Sequence, residues 1–105
     1  MLDTTFLPAI CPRLHAISLL LANDPPLLRI LFDPGSDVLR SSPAEIIASV
    51  GGYSSGQQLL TQIALDIWSE HGCWRLWDAI SVLDPLRFEG FMLALECLRG
   101  GTRGR

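Results

Sequence analysis

The sequence predicts an all-α protein: a compact bundle of about five to six short helices, completed by self-association through its C-terminal helix. Three observations carry this expectation. Nineteen leucines and eight alanines stand against three valines and four threonines, a balance that favours helix over sheet. No stretch alternates polar and apolar residues strictly, and there is no internal repeat or low-complexity block. Pro, Gly and Ser instead divide the chain into segments of helical length.

The first segment runs from about Pro12 to Ala22, with Ile10, Leu14, Ile17 and Leu21 on one face. Asn23-Asp24-Pro25-Pro26 stops it, because a residue that precedes proline disfavours the helical conformation. Asp24 is placed to cap a short second helix carrying Leu27, Leu28 and Leu31, whose first turn tolerates both prolines. Asp33-Pro34-Gly35 reads as a turn. Ser42-Pro43-Ala44-Glu45 is a capping box, followed by Ile46, Ile47 and Val50. Gly51-Gly52 is expected to end that helix, with one glycine as a left-handed cap. Ser54 or Ser55, with Gln57 or Gln58 three residues on, opens the most regular helix, which extends to about Glu70. Leu59, Leu60, Ile63, Ala64, Ile67 and Trp68 share one side of it, so it is expected on the surface of the core. His71-Gly72 ends it. Trp74 to Leu83 then forms a short helix with Leu76, Trp77, Ile80 and Leu83 inward, and Arg75 and Asp78 make an exposed pair.

Asp84-Pro85 starts the last helix, and Gly100-Gly101 ends it. Glu89, Glu96 and Arg99 share, with Met92, an arc only about 80° wide. Leu86, Phe88, Gly90, Phe91, Leu93, Ala94, Leu95, Cys97 and Leu98 fill nearly all the rest, with Arg87 breaking only the first turn. Such a helix is either central to the bundle or covered twice, once by its own chain and once by another.

Composition narrows the function. The 105 residues are 49% hydrophobic and 18% charged, which excludes disorder and leaves more apolar surface than a small domain hides. Residues 1–100 form one helical domain, and 101–105 a flexible basic tail. The net charge of −3 gives no footprint for nucleic acid, apart from Arg99, Arg103 and Arg105 among glycines. Cys11, Cys73 and Cys97 are odd in number and lack C-x-x-C spacing, so no disulfide framework or zinc signature is expected. A reducing, cytoplasmic setting fits them best. The longest uncharged run, Ile46 to Leu65, is too polar at its centre for a membrane span. The segment Leu14–Ala22 lacks a signal-peptide cleavage pattern.

Four constellations bear on chemistry. Ser42–Ile63 resembles a helix–turn–helix in outline, and Gln57, Gln58, Thr61 and Gln62 are the residues that would read base edges. No arginine lies between Arg40 and Arg75, so phosphate attraction is weak. The glycine-rich Gly51–Gly56 leads into a helix N-terminus that suits a phosphate. A Walker loop needs a lysine, however, and the chain has none. His71 and Cys73, with Glu70 and Asp66 nearby and His15 as a distant partner, outline a thiol nucleophile and base. The same His and Cys residues with an acid match no familiar metal spacing. Trp68, Trp74 and Trp77 cluster around the His71-Gly72 turn; Trp68 and Trp77 are expected to pack a corner, and Trp74 to be partly exposed. Tryptophan and arginine are enriched at hot spots, which makes Trp74 with Arg75 a contact patch.

The resulting expectation is a small non-enzymatic helical interaction module that acts as an adaptor, assembly or regulatory subunit. It uses no cofactor, binds protein, and associates with itself, a dimer being favoured, through Trp74, Arg75, Phe91, Leu95 and Leu98. A helix–turn–helix regulator and a small cysteine enzyme using Cys73 and His71 are the alternatives.

Overall fold

The computed structural model describes residues 12–100; Ile10, Cys11 and the basic tail at 101–105 lie outside that range. Six helices follow one another: α1 (Pro12–Leu20), α2 (Pro25–Leu31), α3 (Pro43–Ser49), α4 (Ser55–Ser69), α5 (Leu76–Val82) and α6 (Pro85–Leu98). Among the described residues the only β pairing is an isolated bridge from Phe32 to Leu39. The all-α expectation holds.

Local chemistry sets the starts of α3, α4 and α6. The Ser42 hydroxyl accepts the Glu45 amide at 3.3 Å, and the Glu45 carboxylate accepts the Ser42 amide at 3.2 Å. Ser54 and Gln57 repeat this exchange at the start of α4. At α6, the Asp84 carboxylate accepts the Arg87 amide at 2.9 Å, with Pro85 in the first turn. The helix ends depart more from expectation. Neither Gly51 nor Gly52 is left-handed; α3 ends at Val50 with φ −101°. The left-handed cap falls instead on Glu70, with φ 62°, at the end of α4. Gly35 in the Asp33–Ser36 turn and Gly100 after α6 do take positive φ.

The α1–α6 pair is the spine of the bundle, with α4 packed across α1. Ala16 and Ala94 are fully buried, and small residues let the two backbones approach. Gly90 makes the approach closest: a Cβ there would lie 3.0 Å from the Leu19 carbonyl oxygen. Thr61 and Leu65 are also fully buried, on the side of α4 expected to face solvent. The α4 helix is therefore enclosed rather than superficial, and α6 presents one face to α1 and the opposite face to water.

Two glycine replacements separate packing from helix propensity. Gly90→Ala is expected to lose about 1–2 kcal/mol, because pushing α1 from α6 outweighs the propensity gain. At Gly56 the nearest atom to an added Cβ is Arg87 Cδ at 4.0 Å, so Gly56→Ala is expected to gain about 0.5 kcal/mol. Urea midpoints moving in opposite directions are the check.

A buried ion pair closes the bundle. Asp24 makes no side-chain cap for α2, contrary to expectation. Its carboxylate is 3% exposed and takes a fork from Arg87, with Nε donating at 2.8 Å and Nη2 at 2.6 Å. Gln57 donates to the same carboxylate at 3.3 Å, and Asp84 accepts from Arg87 Nη1 at 2.8 Å. The α1–α2 corner, the start of α4 and the start of α6 thus meet at one charge centre. The Arg87 hydrogen bonds, opposed by burial, hold the Asp24 carboxyl below its ordinary pKa. The reciprocal bond to Asp24 raises that of Arg87.

Candidate interaction surface

The segment between α4 and α5 is a strap laid along α4, and it decides which way α5 faces. It starts at the left-handed Glu70, whose geometry turns the chain back over the last turn of α4. His71 donates its amide to the Leu65 carbonyl at 3.3 Å. Gly72 then passes so close that an added Cβ would sit 2.2 Å from the Gln62 carbonyl oxygen and 2.6 Å from Asp66 Cβ. The Cys73 amide donates to Gln62 Oε1 at 2.9 Å, and the Trp74 indole donates to Asp66 Oδ2 at 2.9 Å. The Trp74 ring meets Phe91 edge-on at 5.8 Å.

Trp74 is therefore a half-buried anchor, and α5 starts from it in a fixed orientation. The Asp78 carboxylate accepts the Arg75 backbone amide at 3.1 Å, rather than pairing with its guanidinium as expected. Ala79 and Leu83 turn inward. Leu76, Trp77 and Ile80 face solvent with 61%, 69% and 49% exposure. At 100° per residue these three span a single stripe about 100° wide. Their spacing on a helix that begins at Trp74 predicts all three inward. The helix begins instead at Leu76 and buries the small Ala79.

The expected contact residues divide. Phe91 is 1% exposed and belongs to the core beneath Trp74, which corrects its place on a contact face. Leu95 and Leu98 reach the surface at 37% and 39%. Arg75 is exposed at the start of α5. Trp68 packs edge-on against Phe32 at 5.0 Å. Leu86, Met92 and Leu93 on α6 are exposed too, but α6 carries Glu89, Glu96 and Arg99 on the same outer side. The charge-free stripe is the one on α5, and it was the feature sequence reasoning missed. Its signal was present in the spacing of Leu76, Trp77 and Ile80, which suits either face of a helix edge.

The polar residues considered for base reading are engaged within the chain. Gln57 bonds Asp24 and Ser54; Gln58 donates to the carbonyls of Gly51 and Tyr53, each at 2.9 Å. Thr61 is buried and donates to the Gln57 carbonyl, and Gln62 holds the strap. In the glycine-rich loop, the Gly51 amide donates to the Ala48 carbonyl, the Tyr53 amide to the Val50 carbonyl and the Ser54 amide to Gln57 Oε1. His71 Nδ1 pairs with Ser69 Oγ at 2.9 Å, and no hydrogen bond joins it to Cys73. Burial raises the Cys97 pKa. Among the described residues no group of His, Cys, Asp or Glu is placed to hold a metal ion. An open groove of about 410 Å³ lies between α2 and α3. Its charged residues are committed elsewhere, Arg40 to Asp33 and Glu45 to the Ser42 amide. No described helix is long and apolar enough to cross a membrane.

Among the described residues, fold and surface together define a bundle of six helices with a charge-free apolar face on α5. No protein-family model, curated protein or solved structure matches the chain.

Proposed function

We propose that this protein is a non-enzymatic interaction module of the cytoplasm that binds protein, itself included, as an adaptor, assembly or regulatory subunit. The observation that carries this reading is the exposed stripe of Leu76, Trp77 and Ile80. Three large apolar side chains on one short helix are costly to leave in water, and patches of this kind mark association surfaces. The strap supports the reading, since hydrogen bonds from Cys73 and Trp74 hold α5 in the orientation that exposes the stripe. A rigid aromatic anchor loses little entropy on binding, and tryptophan is a leading hot-spot residue.

Light scattering across a dilution series is the test. The wild-type chain is expected to form a dimer at high concentration that dissociates on dilution. Trp77→Glu is expected to weaken that association about a hundredfold, as loss of a central hot spot does, while keeping the helical circular dichroism. A wild-type chain that is monomeric at every concentration contradicts the self-association reading.

A further inference from the structure

We infer that the α5 stripe is covered by a second copy of this chain, with the two α5 helices antiparallel across a two-fold axis. This rests on the self-associating reading above and adds the pairing to it. Area is the first argument. Leu76, Trp77 and Ile80 at their observed exposure leave about 400 Å² uncovered, within the range of functional patches on small proteins. Two copies of the stripe supply about 800 Å², close to the apolar part of a standard interface of about 1,600 Å². The stripe therefore matches its own image in size and in chemistry.

Charge sets the direction. Arg75 is exposed at the start of α5, and among the described residues its guanidinium makes no ion pair. At the other end, the last carbonyls of α5 carry the negative end of the helix dipole, and the Asp84 carboxylate, half exposed and shared with Arg87 of its own chain, follows directly. Antiparallel stacking sets Arg75 of each copy against the second copy's Asp84 and the end of its α5. Parallel stacking would set arginine against arginine and aspartate against aspartate. A two-fold arrangement also covers both stripes at once, whereas a head-to-tail contact leaves one open and propagates.

The test uses the full chain with Cys11→Ser and Cys73→Ser as background, which leaves only the buried Cys97. Adding Ile80→Cys places a thiol near the two-fold axis, and a short bis-maleimide is expected to join two chains in high yield. Val38→Cys, at an exposed position in the loop between α2 and α3, is expected to give no joined product. Arg75→Glu is expected to weaken the dimer about tenfold while leaving the monomer folded. A dimer that is not joined through Ile80→Cys, or is indifferent to Arg75→Glu, overturns this pairing but leaves self-association standing. A wild-type chain that never dimerises overturns both.

Discussion

Replacing Arg87 with alanine is expected to lower stability at neutral pH by about 3–5 kcal/mol, because it strands a buried carboxylate. Asp24 is 3% exposed, and the guanidinium supplies its two shortest hydrogen bonds. Gln57 alone remains to it in the variant. The pH dependence identifies the cause. In the wild-type protein the folded pKa of Asp24 is depressed, so above the unfolded value, near 4, the full stabilisation is present. It is lost as pH falls through the folded value. Without Arg87, burial dominates and raises the folded pKa of Asp24, so the variant gains relative stability in acid. The gap between the two proteins is therefore expected to narrow from pH 7 to pH 4, as read by urea midpoints. A constant gap would contradict a role for charge. Combining Arg87→Met with Asp24→Asn removes both charges and is expected to recover about half of the loss.

Gly72→Ala is the second large effect, and it has no charge component. The added methyl meets backbone at 2.2 Å on one side and Asp66 Cβ at 2.6 Å on the other. Neither neighbour is the free end of a side chain, so the strap must lift from α4. Lifting it strains the bonds from Cys73 to Gln62 and from Trp74 to Asp66. Overpacking costs about 1–3 kcal/mol, and each weakened hydrogen bond about 1 kcal/mol, so a loss of about 3–4 kcal/mol is expected. For a chain of this size that lowers the melting temperature by well over about 10 °C. The variant is also expected to associate more weakly, because the strap aims α5. A melting temperature within error of wild type would show that the strap does not lie against α4.

Helix starts were the most legible part of the fold. Ser42-Pro43-Ala44-Glu45 and Ser54-Ser55-Gly56-Gln57 carry their partners three residues away, and both boxes form. Helix ends were less legible, because glycine pairs advertise a left-handed cap without requiring one. Gly51-Gly52 follow α3 without a left-handed residue, whereas α4 ends on a left-handed Glu70, just before the His71-Gly72 breaker. Gly72 was visible as a breaker, but its actual function, close approach to α4, depends on a contact that periodicity does not encode. The Asp24–Arg87 pair spans 63 residues. Its one sequence signal was an isolated arginine in an otherwise apolar α6 first turn, opposite an aspartate already explained as a cap. For the surface, composition signalled an apolar surplus and pointed to α6. Within Leu86–Leu98, Phe91, Ala94 and Cys97 are buried, while Leu86, Met92, Leu93, Leu95 and Leu98 are exposed among Glu89, Glu96 and Arg99. On α5 the exposed Leu76, Trp77 and Ile80 form a stripe that carries no charge. A seven-residue helix whose polar face is only Asp78 and Ser81 is weakly oriented by its own pattern, and the strap fixes its direction.

Hydrogen exchange at increasing protein concentration tests most directly whether α5 is the associating face. Protection of the amides in Leu76–Val82 is expected to rise with concentration, while those of α3 stay unchanged. Protection that rises elsewhere and leaves α5 unaltered would contradict the assignment of this face.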